Sequence, residues 1–311
     1  MIHTNQTSMK ASICIPTLNA EKYIEQLLRS ILDQHEQNFE IIIFDSSSTD
    51  KTVEIINSFK DKRLKLFCID KKDFGHGKTR NLMVEKSSGE FIIFLSQDAL
   101  PIGNSWLHNL INTNIEKDVV ACFGRQIAYP DSKIFEHFFN RYHYLHKSYV
   151  VKPNQKPSIK EFFFSNASSC FLRKALVEMP FRTDIPTTED QAWIYKALKN
   201  GFKIAYAGNS IVLHSHNHNY KELWLRYFDS SVSLSKILGV RFFIYSTRAS
   251  GFLFKELRFI YQNHNSLVIE CIFRNIVKIS AVLFGIIFVI KSNHQKQSKL
   301  SAGKKPVVNN I

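Results

Sequence analysis

Several features that would assign a chain to a particular compartment are missing from this sequence of 311 residues. The first ten residues, MIHTNQTSMK, contain no apolar segment of the kind found in signal peptides, so we expect no secretion by that route. The five cysteines are widely spaced and form no C-x-x-C pair, which favours buried free thiols in a reducing cytoplasm. No apolar run reaches the roughly 20 residues that a transmembrane helix needs.

Acidic residues are missing from the C-terminal part of the chain. The formal net charge is +14, and after Glu270 there is no Asp or Glu but seven basic residues: Arg274, Lys278, Lys291, Lys296, Lys299, Lys304 and Lys305. Because this basic excess lies beside the apolar segment 279–290, and no RNA- or DNA-binding motif occurs, we expect no nucleic-acid partner. We interpret residues 241–290 as a helical region with a membrane-interface anchor and residues 291–311 as a disordered basic tail. A core helix and a tilted membrane span are the alternatives for 279–290.

The earlier part of the chain alternates between short apolar runs and amphipathic segments. Apolar runs at 12–18, 39–44, 64–69 and 91–95 predict strands, and segments at helical spacing lie between them. This alternation predicts an α/β fold with a mostly parallel sheet flanked by helices. We divide it into flexible residues 1–10 and a domain at 11–240, whose halves are 11–125 and 126–240. Residues 161–172 in the second half predict two short strands around a polar turn.

Polar side chains follow four of the predicted strands. Thr17 and Asn19 lie at the end of the first, Asp45 follows the second, the loop 72–81 follows the third and Asp98 follows the fourth. Ligands of open α/β sheets bind at the carboxyl ends of the strands, so we expect these residues to gather at one edge. Asp45 is suited to a base or ribose, and Asp98 could hold a divalent ion. The plain alternative for Asp98 is a helix cap.

The loop after the third predicted strand reads F-G-H-G-K-T-R-N. The spacing of a P-loop is absent. Arg80 could still bind a diphosphate through its planar guanidinium. Gly75 and Gly77 would let the backbone approach a ligand; a flexible turn is the alternative.

Two further groups could carry chemistry. Asp190 directly precedes a predicted helix and is a natural general base if it faces the sheet edge, although it could simply be a charge at a helix N-terminus. His214 and His216, in the sequence H-S-H-N-H, would point to the same side of a strand and could bind a metal; structural histidines are the alternative.

These motifs, in this order, resemble those of family 2 glycosyltransferases with the GT-A fold. The resemblance covers roughly residues 11–235 and rests on five motifs: I-P-T-L-N at 15–19, D-S-S-S-T-D at 45–50, S-Q-D at 96–98, T-E-D at 188–190 and V-L-H at 212–214. The motifs F-G-H-G-K-T-R-N and S-Q-D-A-L-P are similar to the rhamnosyltransferase branch, which makes O-antigen and other bacterial surface polysaccharides. The donor in that branch is typically dTDP-β-L-rhamnose, and the acceptor is a glycan on undecaprenyl diphosphate.

The resemblance implies a role for each motif residue. Asp190 would be the catalytic base of an inverting transfer, and Asp98 would bind Mg²⁺ or Mn²⁺ with His214 and His216. The nucleotide sugar would be bound by Pro16, Thr17, Asn19, Asp45, Ser47, His76, Arg80, Gln97 and Asp98. Residues 11–125 would form the nucleotide-sugar half and 126–240 the acceptor half. The implied location is the cytoplasmic face of the bacterial inner membrane, as a peripheral protein.

One departure from the family pattern concerns the metal. The family's D-x-D motif reads S-Q-D here, with Ser96 in place of the first carboxylate. Asp98 must then anchor the metal with a histidine and water. The alternatives to a rhamnosyltransferase are the same fold with a UDP-sugar donor, and a sugar-nucleotide-binding assembly protein that does not catalyse transfer.

Overall fold

A computed structural model describes residues 11–239 and 250–302 of the protein. The predicted flexible residues 1–10, residues 240–249 and the last nine residues of the predicted tail lie outside this range. The described residues form two compact units. The first holds residues 11–184 and 189–217, and the second holds 185–188 and everything described from 218 onwards. The unit boundary at Asn217 puts residues 218–239 with the C-terminal helices, whereas the sequence reading had assigned them to the larger domain.

The first unit contains one sheet with helices around it. The strands are β1 (Ala11–Thr17), β2 (Phe39–Asp45), β3 (Leu64–Cys68), β4 (Phe91–Leu95), β5 (Leu100–Pro101), β6 (Ala121–Ile127), β7 (Tyr149–Val151), β8 (Ser168–Leu172) and β9 (Ile204–Leu213). The helices are α1 (Ile24–Leu32), α2 (Thr52–Ser58), α3 (His76–Lys86), α4 (Trp106–Lys117), α5 (Ile134–His143), α6 (Arg173–Glu178) and α7 (Glu189–Lys199), with a 3₁₀ turn at Lys71–Asp73.

The sheet has the order β3-β2-β1-β4-β8-β6-β9-β5, and β7 pairs with β9. Strands β1 to β4 pair in parallel, as the alternation of apolar runs and helices predicts. Strand β8 runs antiparallel to both of its neighbours, β4 and β6, while β9 is parallel to β6. The predicted α/β class is therefore confirmed, but the sheet is mixed because the parallel part is interrupted at β8.

The apolar runs explain where the core lies. Every residue of β2 and β4 is buried, since helices cover both faces of the central sheet. Helix α1 buries Ile24, Leu27, Leu28 and Ile31, which share one face at helical spacing. Each such side chain contributes about 1.5–3 kcal/mol relative to an exposed position, so these elements hold the sheet edge in a fixed position.

Residues 161–172 differ from their prediction. They contain one strand, β8, and not two. Phe162 and Phe164, which read as strand residues, are instead buried as irregular backbone ahead of β8. Because β8 is antiparallel to β4, its start lies at the carboxyl end of β4, and the Ser96 amide donates to the Ala167 carbonyl at 3.1 Å.

The second unit is helical. It contains α8 (Tyr220–Leu238), α9 (Ser250–Asn263), a 3₁₀ turn at Asn265–Leu267 and α10 (Val268–Ala302). Asn219 caps α8 in a reciprocal capping box with Glu222. Helices α8 and α10 approach closely at Gly285, where a Cβ atom would lie 2.6 Å from Ser231 Oγ. Lys278 of α10 forms a buried ion pair with Glu256 of α9, with an N–O distance of 2.7 Å.

One expectation about the C-terminal region is wrong. Residues 291–302 are helical and not disordered, because they contain helix-forming Lys, Gln and Leu and no Gly or Pro before Gly303. The segment Asn265–Ser292 has 28 residues and is long and apolar enough to cross a membrane. In the sequence, Lys278 marks the start of the apolar run 279–290. In the structure, both Lys278 and Arg274 are buried inside the helical unit, so the helix continues through them.

Candidate active site

The loops after β1 and β2 are held together by Asp45. Its carboxylate is buried and accepts hydrogen bonds from Thr17 Oγ1 at 2.9 Å, from the Ser48 amide at 2.8 Å and from Ser48 Oγ at 2.5 Å. Three of the roughly four acceptor positions of this carboxylate are therefore occupied within the protein. Thr17 and Asp45 therefore lie together, as predicted, and the hydrogen bond between them helps to hold the two loops in place.

The neighbouring residues shape the same edge through backbone contacts. Asn19 and Ser47 both have positive φ angles, of 50° and 62°. Asn19 Oδ1 accepts from the Thr49 amide at 2.9 Å, and Ser47 Oγ donates to the Ile69 carbonyl at 2.9 Å. Pro16 is in β1, in register with Phe44. These contacts hold the strand ends in one conformation, which preorganises the edge for a ligand.

Gln97 joins the end of β4 to the end of β1. Its side-chain oxygen accepts from the Leu18 amide at 2.8 Å, and its nitrogen donates to the Leu18 carbonyl at 3.1 Å. Gln97 was predicted to bind the nucleotide sugar, but both ends of its amide are occupied by the Leu18 backbone.

Asp98, His214 and His216 lie together, as the sequence predicted. His214 Nε2 is 3.5 Å from one Asp98 oxygen, and His216 Nδ1 is 3.4 Å from the other. Burial alone would raise the pKa of Asp98. Hydrogen bonding to His214 and the electrostatic effect of both histidines outweigh burial and lower this pKa to about 2. The carboxylate is therefore ionised and available to a cation.

This group fits a divalent metal ion. One ligand atom from each of the three residues lies within 4.8 Å of the others. The other ring nitrogen of His214, Nδ1, lies 2.7 Å from the side-chain oxygen of Gln126, an arrangement typical of metal-binding histidines. Gln126 was not predicted, because a single glutamine at the end of a strand has no distinctive spacing.

Asp190 lies in the first turn of α7. Its two oxygens accept from the Asn166 amide at 3.0 Å and from the Gln191 amide at 2.7 Å. Burial and the negative charge of Glu189 raise the pKa of Asp190 to about 7, against the opposing effects of Arg80 and the two amides. A carboxylate that titrates near neutral pH is suited to remove a proton from a hydroxyl.

Arg80 contacts Glu189, the residue next to Asp190. Its guanidinium forms a buried ion pair with Glu189, with an N–O distance of 2.7 Å, and donates to the His76 carbonyl at 3.3 Å. Its charged group also lies 5.7 Å from the centre of the Phe94 ring. Arg80 was predicted to bind the diphosphate, whereas the structure directs it at Glu189. His76 begins α3, and its ring contacts the Phe74 ring.

The metal-binding group and the candidate base are linked through the backbone at the start of β8. Ser96, two residues before Asp98, donates to the Ala167 carbonyl, and the adjacent Asn166 amide donates to Asp190. The arrangement therefore places an ionised metal-binding group and a carboxylate with a near-neutral pKa around one end of β4. A cation and a base at one sheet edge are what a phosphate-leaving transfer to a hydroxyl requires.

Comparison with known proteins identifies the family. The sequence model described as glycosyl transferase family 2 matches residues 12–179. The O-antigen chain rhamnosyltransferase RfbN of Salmonella typhimurium is 34% identical over 229 residues, which is 72% of each chain. The O-antigen chain rhamnosyltransferase WbaN of Salmonella anatum is 29% identical over 228 residues, 71% of each chain.

Solved structures confirm the fold. Residues 1–349 of TarS from S. aureus, in complex with UDP-GlcNAc, match with a TM-score of 0.58 at 18% identity, covering 93% of this chain and 92% of that one. The mannosyltransferase PcManGT from Pyrobaculum calidifontis, in complex with GDP-Man and Mn²⁺, matches with a TM-score of 0.55 at 18% identity, covering 76% of this chain and 64% of that one. The chain therefore has the fold of these GT-A enzymes.

Proposed function

Because the chain belongs to glycosyltransferase family 2, we propose that it is an inverting rhamnosyltransferase of O-antigen or other surface-polysaccharide synthesis. It transfers L-rhamnose from dTDP-β-L-rhamnose to a hydroxyl of a glycan carried on undecaprenyl diphosphate. The names of the two Salmonella relatives support the sugar and the process. The observation that carries the catalytic role is Asp190, a half-buried carboxylate whose pKa is raised to about 7 and which is linked through Asn166 to the end of β4.

The proposed reaction is a single displacement. The acceptor oxygen attacks the anomeric carbon of the donor sugar while its proton passes to the Asp190 carboxylate. The bond between that carbon and the diphosphate breaks, and the electron pair leaves with the nucleoside diphosphate. The Asn166 and Gln191 amides hold both Asp190 oxygens, so the carboxylate is oriented before the acceptor arrives.

Asp98, His214 and His216 are the proposed ligands of Mn²⁺ or Mg²⁺, and the ion supplies positive charge to the leaving diphosphate. Two imidazole nitrogens favour Mn²⁺, because Mg²⁺ prefers oxygen ligands alone. The two histidines would thus supply metal ligands in place of the carboxylate that is missing at Ser96. Pro16, Thr17, Asn19, Asp45, Ser47, His76 and Gln97 remain the proposed lining of the nucleotide-sugar side, largely through the backbone that they fix.

We also propose that the protein is peripheral, at the cytoplasmic face of the inner membrane. Helix α10 has the length to span, but α8 packs along it, with Ser231 Oγ donating to the Val282 carbonyl at 2.8 Å. Helix α8 carries exposed charges, including Lys221 and Arg226. A spanning α10 would carry these charges into the bilayer, so a position in the interface is favoured.

A UDP-sugar donor is the second candidate. TarS, named as a β-N-acetylglucosaminyltransferase, is 38% identical over 93 residues of this chain, and its structure matches over most of the chain. A binding protein without activity is disfavoured by Asp190, since its pKa is raised to about 7 and strongly perturbed pKa values cluster at functional sites.

The test is nucleotide release from a panel of nucleotide sugars, measured with membranes that carry lipid-linked acceptor, with Mn²⁺ or with EDTA. We expect release from dTDP-rhamnose that depends on acceptor and on Mn²⁺. Asp190→Asn should lower transfer by about 10³-fold or more while donor binding persists. The matched control is Asp118→Asn, an exposed carboxylate at the end of α4.

Three outcomes would contradict parts of this proposal. Turnover of a UDP-sugar alone would overturn the rhamnose assignment and keep the mechanism. Full activity of Asp190→Asn would remove Asp190 as the base. Donor binding with no turnover of any donor, in the presence of acceptor membranes, would favour the binding protein.

A further inference from the structure

Gln126 is a buried amide in β6 that none of the chemistry above requires. Its side-chain oxygen lies 2.7 Å from His214 Nδ1, and its side-chain nitrogen donates to Ser165 Oγ at 2.9 Å. We propose that Gln126 is a positioning residue: it fixes the ring tautomer of His214 so that Nε2 is free to bind the metal, and it ties this histidine to the segment that holds Asp190. The inference rests on the metal site of the proposed function.

The pairing of β6 with β9 places Gln126 beside His214. Gln126 is in register with Val212 in the parallel pair of β6 and β9, and His214 follows Val212 by two residues. Side chains two residues apart leave the same face of a strand. The His214 amide extends the pairing by donating to the Ile127 carbonyl at 2.9 Å.

A register shift between Gly124 and Arg125 precedes this contact. The backbone at Gly124 is crowded, since a Cβ atom there would lie 2.8 Å from both Ser168 Oγ and the Ser210 carbonyl. Shifts of this kind re-aim the side chains that follow them in a strand. After this shift Gln126 is in register with Val212, and this register brings Gln126 beside the histidine.

The amide can hold the ring in only one tautomer. Because the Gln126 nitrogen donates to Ser165, its oxygen is an acceptor, and the facing Nδ1 of His214 must carry a proton. A neutral imidazole has one N–H, so Nε2 then has a lone pair. In this tautomer Nε2, which lies 3.5 Å from an Asp98 oxygen, can bind a cation together with that oxygen.

The other hydrogen bond of Gln126 reaches the base side of the site. Ser165 Oγ also accepts from the Ala167 amide at 3.3 Å, and the intervening Asn166 amide donates to Asp190. One buried amide thus connects the ring of a metal ligand to the three-residue segment that orients the candidate base. No local sequence signal could reveal this, since Gln126 is 88 residues from His214 and 39 residues from Ser165.

The test is Mn²⁺ affinity, measured by calorimetry on the full chain without donor or acceptor. Gln126→Leu should weaken Mn²⁺ binding by about 10- to 100-fold, the usual effect of losing a partner of a metal ligand. Gln126→Glu keeps an acceptor for Nδ1 and should retain the affinity. Asn140→Leu is the matched control: it removes a buried amide that donates to the His214 carbonyl at 2.9 Å and does not touch the ring. It should leave the affinity within about threefold.

A second readout does not depend on metal. Long-range ¹⁵N–¹H spectra of the metal-free protein should show His214 protonated at Nδ1 in the wild type and in Gln126→Glu, and in mixed tautomers in Gln126→Leu. Unchanged Mn²⁺ affinity in Gln126→Leu, or a wild-type ring that is protonated at Nε2 but not at Nδ1, would overturn the inference. Absence of Mn²⁺ binding by the wild type would overturn it together with the metal site, whereas sugar transfer is measured separately by nucleotide release.

Discussion

Three charged side chains decide when Asp190 can act. Arg80 and Glu189 form a buried ion pair at 2.7 Å, and Asp190 is adjacent to Glu189 in the first turn of α7. Burial and Glu189 raise the pKa of Asp190, and Arg80 lowers it. The charge of Glu189 therefore raises the pH at which Asp190 ionises, and the charge of Arg80 limits that increase.

Opposite substitutions in this pair should move the pH profile in opposite directions. A general base works when ionised, so activity should be present above its pKa of about 7 and lost as the pH falls through that value. Glu189→Gln removes a charge that raises this pKa, and the acidic limb of kcat should move to lower pH. Arg80→Gln removes a charge that lowers it, and the limb should move to higher pH, in each case by about one unit or more.

Stability must be controlled in that experiment, because removing one member of a buried ion pair costs about 3–5 kcal/mol. Circular dichroism melts would show whether each variant is folded at the assay temperature. Arg29→Gln, which breaks an exposed pair with Glu25, is the control and should change neither stability nor the profile. Limbs that move in the same direction in both variants would exclude an electrostatic role for the pair.

The sequence predicted some of these residues and missed others for a physical reason. Asp98, His214 and His216 were chosen because they follow strands or alternate along one, and the structure brings them together. Gln126 and Asn166 were missed, since their importance comes from partners far away in the chain. Arg80 was predicted as a diphosphate ligand because of its planar guanidinium; its ion pair with Glu189, 109 positions later, is a tertiary contact that the sequence does not reveal.

At the scale of elements, α3 is fixed against the segment that precedes α7. Asn81 donates to the Phe181 carbonyl and accepts from the Phe181 amide, each at 3.0 Å. A Cβ atom on Gly77 would lie 1.9 Å from the Arg182 carbonyl oxygen. The sequence suggests that a ligand could approach the backbone at Gly77. In the structure the Arg182 backbone carbonyl lies there instead.

Gly77→Ala should therefore separate α3 from this segment. We expect a loss of about 1–3 kcal/mol or more in the free energy of unfolding, because the contact is with backbone that cannot rotate away. Gly75→Ala is the matched control, since its Cβ would meet only Lys78 Cβ at 3.5 Å, an ordinary contact. Urea unfolding followed by fluorescence measures both, and equal stabilities would show that α3 is free to shift.

The strands show a similar division between local and tertiary signals. Strands β1, β2, β3 and β4 were predicted from apolar runs separated by helices, which define both their existence and their parallel pairing. The antiparallel direction of β8 could not be predicted in this way, because neither its own residues nor the polar residues before it specify the strand with which it pairs. That direction is what brings Asn166 to Asp190, so the main unpredicted feature of the sheet is also the one that assembles the site.

At the scale of the whole molecule, the exposed apolar surface is concentrated on the helical unit. Ile269, Phe273, Ile276, Leu283 and Ile287 recur at helical spacing along α10 and are between 47% and 69% exposed. The opposite side of α10 packs inside the unit, where Cys271 and Ala281 are fully buried. Soluble surfaces rarely carry a continuous apolar stripe of this length, and the exposed Lys291 follows it. An apolar stripe with basic residues beyond it suits an anionic membrane interface.

Vesicle binding tests this surface. The full chain should co-sediment with vesicles that contain phosphatidylglycerol more than with pure phosphatidylcholine vesicles, and less so at high salt. Replacing Phe273, Ile276 and Ile287 by Gln removes apolar area without adding charge. Each side chain that leaves the interface forfeits about 1.5–3 kcal/mol if fully inserted, so binding should fall by about 10-fold or more.

The control substitutes apolar residues that are as exposed but lie in the sheet unit. Val177 and Ile115 are 59% and 48% exposed, and replacing both by Gln should leave vesicle binding unchanged. If both variants bind alike, the stripe does not contact lipid. If the triple variant instead converts a dimer to a monomer in the absence of vesicles, the stripe is covered by a second copy of the chain. Retention of the wild type in the membrane fraction after carbonate extraction would show that α10 spans the bilayer, and its packing with α8 would then have to open.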